Sequence, residues 1–190
     1  MKSEFKKDDC VTLHIEDIGT GGEGIGKADG FTFFVKDAIV GDVIEAKIMK
    51  LKKNYGYARL MKVLTPSKDR VEPKCPVARQ CGGCQIQEMR YEAQLAFKQK
   101  KVSKFLSQFC KVQPIIGMEN PFHYRNKVQA AFRTDRNGRI ISGVYQSGTH
   151  RIVGIDECMI EDAIADKIIV TVRKMLKSFK LTTYDEDAQR

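Results

Sequence analysis

Apolar and polar residues alternate over Val11–Glu16, with Val11, Leu13 and Ile15 on one side and Thr12, His14 and Glu16 on the other. A period of two predicts a half-buried strand. Phe31–Val35 reads as another strand. Val43–Lys50 reads as a third, with Ile44, Ala46 and Ile48 on its inward face. Lys52–Tyr57 then connects into a strand over Ala58–Leu64, which Pro66 ends. Between the first two strands Gly19, Gly21 and Gly24 match G-x-G-x-x-G. A dinucleotide loop must open a helix after a strand, whereas here a turn, Lys27–Gly30, and another strand follow. The glycines are therefore read as β connections. Four or five short strands with glycine corners predict a small closed barrel of OB-like type over residues 1–66.

The period changes after Pro66. Ser67–Pro73 is polar and proline-bounded, and reads as a linker. Tyr91, Leu95, Val102, Phe105, Leu106 and Phe109 recur at helical spacing, predicting a helix from Glu88 to Phe109 with a solvated face of Lys98, Lys100, Lys101 and Lys104. Strands are expected at Val128–Thr134, Arg139–Tyr145 and Arg151–Ile155. Asp135–Gly138 should turn between the first two, because Asn-Gly favours positive φ at both central positions. Ile160, Ile164, Ile168, Val172, Met175 and Phe179 mark a second amphipathic helix, and a polar tail follows. The expected fold class is β plus α+β, with a barrel at 1–66 and an α+β domain at 67–190.

One stretch fits neither period. Cys75-Pro-Val-Ala-Arg-Gln-Cys81-Gly-Gly-Cys84 places three cysteines in a C-x5-C-x2-C spacing. Gly82 and Gly83 carry no Cβ, so backbone N–H groups can approach whatever the thiolates hold. Three thiolates need a fourth ligand for a four-coordinate zinc or an iron–sulfur cluster. A three-strand meander can return its last strand beside the loop, which makes Cys158 the reachable donor; Cys10 belongs to the barrel and Cys110 to a helix end. Zinc ribbons usually bring two C-x2-C knuckles and this chain has one, so a [4Fe–4S] cluster is expected, with zinc as the alternative.

Charge adds a partner. The 190 residues carry a net charge of +9 and a pI near 9.2, which suits a polyanion such as nucleic acid. Lys52, Lys53, Tyr55 and Arg59 (with Lys50 and Tyr57) combine basic and aromatic side chains in one part of the barrel, the composition of a single-strand-binding face. Tyr124, Arg125 and Lys127 offer a second candidate surface, since guanidinium forks suit phosphates and base edges. His14, His123 and His150 are scattered and suggest no catalytic pair. No apolar run approaches the ~20 residues of a transmembrane helix, and the charged start lacks a signal-peptide core. A monomer in the reducing cytoplasm, without membrane attachment, is expected.

The order of these motifs carries a resemblance. The glycine-rich strand, Val40-Gly-Asp-Val43 and Lys52-Lys-Asn-Tyr-Gly-Tyr-Ala58 look like a TRAM domain, an RNA-binding barrel attached to RNA-modifying enzymes. Followed by C-x5-C-G-G-C, Phe122-His-Tyr-Arg-Asn-Lys127, Gly143-Val-Tyr145, His150-Arg-Ile-Val153 and Cys158, it resembles the S-adenosylmethionine-dependent 23S rRNA uracil-5-methyltransferases over essentially the whole chain. The resemblance implies that Cys75, Cys81, Cys84 and Cys158 bind a [4Fe–4S] cluster and that Arg125 lies near RNA. It also implies that the catalytic cysteine, the carboxylate base and the methyl-donor site belong to a C-terminal Rossmann-like domain. No strand–glycine loop–helix unit of that kind is found here, so the sequence reads as an N-terminal portion that binds RNA and is inactive alone. A free-standing RNA-binding adaptor with a structural metal is the alternative. The radical methylthiotransferases, which also join TRAM to a cluster, use a different spacing, C-x3-C-x2-C.

Overall fold

The computed structural model describes residues 5–184. Residues 1–4 of the charged start and 185–190 of the polar tail, noted above, lie outside them. Five strands, β1 (Cys10–Ile18), β2 (Gly24–Ala28), β3 (Phe31–Lys36), β4 (Val43–Leu51) and β5 (Tyr55–Thr65), close into a barrel in the order β1-β2-β3-β5-β4. Neighbours are antiparallel except β3 and β5, which run parallel with Phe34 beside Tyr57. The period-two positions point where the sequence placed them. Leu13, Ile15, Phe33, Val35, Ile44, Ala46 and Ile48 are wholly buried and form the core with Val11, Ala38 and Ala58. Burying such a side chain stabilises the fold by about 1.5–3 kcal/mol.

Gly24 and Gly26 lie within β2, with no phosphate loop and no following helix. A Cβ at Gly24 would stand 2.7 Å from the Ala38 carbonyl oxygen, and one at Gly26 2.7 Å from that of His14. The strands approach too closely for side chains, so the barrel requires these glycines. β5 begins at Tyr55, three residues before the expected start, because a tight turn returns the Lys52 N–H to the Tyr55 carbonyl at 2.8 Å.

Ser67–Pro73 was expected to be a linker, and the structure corrects this. Ser67 and Arg70 bind the buried Asp42 carboxylate, Val71 N–H bonds the Glu88 carbonyl, and Arg90 N–H bonds that of Asp69. The chain separates into two compact units, Met1–Pro73 with Gln85–Gly117, and Lys74–Cys84 with Met118–Arg190. The first unit thus takes in the helix α1 (Tyr91–Leu106), which had been placed with the α+β domain. Its inward side is Ala93 and Phe97, packed on Ile18, Ile39 and Met89. The expected apolar face is largely outside: Val102, Phe105, Leu106 and Phe109 are exposed. Cys110, just beyond the helix, is exposed.

The second unit holds a meander of β6 (Ala131–Thr134), β7 (Ile140–Tyr145) and β8 (Ile152–Gly154), in that order. At the first turn only Gly138 has positive φ, +73°. Asp135 accepts the N–H groups of Asn137 and Arg139, and its own N–H bonds the Arg139 carbonyl. That carboxylate fixes a three-residue loop with glycine in the left-handed position, in place of the two-residue turn expected. Tyr124–Lys127 lies outside any strand; Arg125 makes one bridge with Glu161.

Helix α2 (Ala163–Ser178) starts at Asp162, whose carboxylate accepts the N–H groups of Ile164 and Ala165. This is an N-cap. Its apolar stripe does not cover the sheet. Ile164, Ile168, Val172, Met175 and Phe179 are exposed, whereas Asp166 is buried and Arg173 bonds Ser142 on β7. No helix among the described residues is long and apolar enough to cross a membrane.

Candidate nucleic-acid surfaces and the cysteine loop

On the outside of the barrel the parallel pairing of β3 and β5 brings three rings together. Phe34 lies 5.5 Å from Tyr55 and 5.8 Å from Tyr57, and the two tyrosines are 5.6 Å apart in an edge-to-face arrangement. A hydrogen bond with Tyr55 raises the Tyr57 phenol above its ordinary value. Lys52 and Lys53 precede β5 as exposed residues, and Arg59 is exposed two positions beyond Tyr57. Aromatic rings beside cations form a stacking platform with phosphate partners. Tyr55, Lys52, Lys53 and Arg59 were expected here from sequence. Phe34 was not, because it reads as part of a continuous apolar strand. Its alternation with the buried Phe33 and Val35 was the available signal.

In the second unit Lys74–Cys84 is a series of turns, with the N–H groups of Gln80 and Cys81 both bonded to the Val77 carbonyl. Cys81 is buried and bridges Gln146. Gly82 N–H bonds the Tyr145 carbonyl at 3.3 Å, and a Cβ on Gly82 would lie 2.9 Å from that oxygen and 3.1 Å from Ser147 N. Gly82 lets the loop lie against the end of β7, its N–H turned to that backbone, and Gly83 donates its N–H to Cys81 Sγ at 3.2 Å. Cys158 follows β8. Its N–H bonds Asp166 Oδ2 at 2.8 Å, and its sulfur accepts the N–H groups of Ile160 and Glu161. Burial pushes the Cys158 thiol up, against those two hydrogen bonds. The carboxyl of Glu161 is also raised, first by burial and then by the charge and hydrogen bond of Asp166, with Arg125 opposing.

Cys75, Cys81, Cys84 and Cys158 are free thiols in the same unit. Among the described residues no three His, Cys, Asp or Glu side chains stand close enough to hold a metal ion. Backbone N–H groups are directed at two of the sulfurs, those of Cys81 and Cys158. The four sulfurs are not drawn into one ligand shell.

An open cleft of about 820 Å³ lies in the same unit. Arg125, Lys127 and Gln129 line one side, the loop from Tyr145 to His150 another, and Gly82 and Gly83 of the cysteine loop take part. The structure thus brings Arg125 and Lys127 together in one cavity. Tyr124 is exposed and does not line it. Gln129, Tyr145 and His150 were missed as site residues; Tyr145 and His150 join Arg125 only through the return of β7 and its loop.

Residues 9–61 match the TRAM domain family. An uncharacterized RNA methyltransferase of Halalkalibacterium halodurans is 43% identical over 195 residues, covering 100% of this chain and 42% of that protein. Another from Clostridium tetani is 42% identical, covering 98% of this chain and 42% of that protein. The chain thus spans about two fifths of the length of these relatives (42%). The crystal structure of Pyrococcus abyssi tRNA (uracil-54, C5)-methyltransferase in complex with S-adenosyl-L-homocysteine superposes with a TM-score of 0.68 at 23% identity, over 94% of this chain and 40% of that one. That likeness establishes a shared fold.

Proposed function

We propose that this chain belongs to the RNA uracil-5 methyltransferases and forms the RNA-binding portion of an enzyme that transfers a methyl group from S-adenosylmethionine to C5 of a uridine in 23S rRNA. The observation that carries this reading is a TRAM barrel on whose outside the half-buried Phe34 and Tyr55 rings meet the exposed Tyr57, in a chain similar over 100% of its residues to an RNA methyltransferase. The rRNA substrate is supported by the motif order around the cysteine loop. In this reading the barrel and the cleft at Arg125 and Lys127 hold RNA, and this chain by itself transfers no methyl group. Uracil C5 is a poor nucleophile until C6 carries an adduct, so a nucleophile, a base and a donor site must be supplied by the rest of the enzyme.

Cys75, Cys81, Cys84 and Cys158 would hold a [4Fe–4S] cluster, with a single zinc as the alternative. Bound there, it supplies a structural brace between the loop and the segment after β8. The N–H donors of Gly83, Ile160 and Glu161 support thiolates at Cys81 and Cys158.

The test is methyl transfer by the full-length protein, with 23S rRNA and tRNA transcripts offered separately. Labelled methyl at C5 of an rRNA uridine is expected; labelling of tRNA alone would overturn the rRNA assignment. Anaerobic purification should yield about four iron and four sulfide per chain, and one zinc without sulfide would replace the cluster. A chain that binds RNA and supports no methylation at full length would instead be a binding adaptor.

A further inference from the structure

The cleft beside the cysteine loop has a composition that the barrel platform lacks. Arg125 and Lys127 supply two cations, and Gln129, Gln146 and Thr149 supply neutral polar groups. Tyr145 supplies an aromatic face, 46% exposed, with the His150 ring edge-on at 6.3 Å. The carboxyl of Glu161 also lines the cleft, hydrogen-bonded to Asp166. Gly148, at φ +70°, turns the 146–150 loop, and Thr149 N–H and Oγ1 both bond the Gln146 carbonyl. The loop that carries His150 is therefore held by its own hydrogen bonds. Arg133 Nη1 adds a further bond to the His150 carbonyl at 3.2 Å.

A ring, a planar amide and two cations around a cavity of about 820 Å³ match the parts of one nucleotide. The volume falls within the ~300–1,000 Å³ of small-ligand pockets. Tyr145 and His150 also line a second cavity of about 170 Å³, with Phe132, Arg133 and Tyr184. Tyr145 therefore borders two hollows, as a side chain does when it separates successive bases of a single strand.

We propose that this cleft binds one unpaired nucleotide of single-stranded RNA, its base against Tyr145 and its phosphate on Arg125 and Lys127. The proposal deepens the RNA-binding reading above and rests on it. It adds a specific subsite in the second unit, with Tyr145 as the stacking residue and Gln129 as the base-edge partner. Bound RNA there would lie directly over Gly82 and Gly83, so the cysteine loop forms part of the recognition surface. Loss of order in that loop should then weaken RNA binding as well as metal retention.

The test uses the 190-residue chain and a short uridine-rich RNA carrying 4-thiouridine. Irradiation and peptide mapping should place adducts on Tyr145 or His150. Tyr145→Ala should weaken binding by roughly tenfold, the loss expected for removing one stacked base, and Tyr145→Phe should bind like the unaltered chain. Circular dichroism of both variants separates lost stacking from lost folding. Adducts confined to barrel peptides, with Tyr145→Ala binding unchanged, would overturn the cleft and leave the RNA-binding reading standing. No binding by the unaltered chain would overturn both.

Discussion

Arg70 grips Asp42 as a fork inside the first unit. Its Nε stands 3.0 and 3.1 Å from the two carboxylate oxygens, and Nη2 reaches Oδ2 at 2.6 Å. The Asp42 side chain is wholly buried and that of Arg70 is 14% exposed. Ile39 N–H and Ser67 N–H complete the carboxylate's partners, both at 2.9 Å. The pair ties the corner before β4 to the segment that follows β5.

Removing the cation leaves a buried carboxylate with only backbone partners. Arg70→Ala should destabilise the chain by about 3–5 kcal/mol, the cost of breaking one side of a buried ion pair. Urea unfolding followed by circular dichroism measures it. A loss below about 1 kcal/mol would place the pair with exposed ion pairs, which contribute little.

The same carboxylate sets an acid limit. Burial pushes Asp42 up, but Arg70 and the N–H groups of Ile39 and Ser67 outweigh it and hold the carboxyl below its ordinary value. A depressed folded value contributes stability above the unfolded value of about 3.9. That stability is lost as pH falls through the folded value. Thermal midpoints recorded downward from pH 6 should therefore drop most steeply below about pH 4. Asp42→Asn should lower the midpoint at pH 6 and flatten the acid decline; an unchanged decline would assign it to other carboxylates.

Two glycines in the second sheet make a sharp contrast. A Cβ on Gly143 would collide with the Val153 carbonyl oxygen across the β7–β8 pair. A Cβ on Gly154 would meet nothing nearer than Ile141 Cβ at 3.8 Å. Gly143→Ala should thus cost roughly 1–3 kcal/mol or more, as overpacking does, while Gly154→Ala should stay within about 1 kcal/mol of the parent. Equal stability of the two variants would show that β8 can shift to make room.

On the barrel, Tyr57→Ala removes an exposed ring from the platform without touching the core. RNA affinity should fall between about fivefold and a hundredfold, the range for losing one stacked base. Lys53→Ala should reduce the slope of log affinity against log salt by about 0.7, one single-strand phosphate contact. Fluorescence anisotropy over a salt series reads both, and an unaltered slope would remove Lys53 from the interface.

Much of the barrel and of its chemistry was legible in the chain. Alternation at Val11–Ile15 and Ile44–Ile48 is a local property, since side chains i and i+2 share a face whatever the strand pairs with. The cysteine spacing and the run Lys52–Tyr57 are local as well, and with the neighbouring motifs they carried the family resemblance. What only the tertiary structure decided depends on residues far apart in sequence. The parallel pairing of β3 with β5 set Phe34 against Tyr55 and Tyr57. The burial of Asp42 drew in Arg70 from 28 positions away. The return of β7 and its loop placed Tyr145 and His150 around a cavity with Arg125 and Lys127. Helix α2 makes the physical reason plain. Its period reveals an apolar stripe through Ile164 and Ile168, yet those residues are exposed while Asp166 is buried and Arg173 bonds Ser142 on β7. Periodicity shows that a helix has two faces, and only the packing of distant elements determines which one is covered.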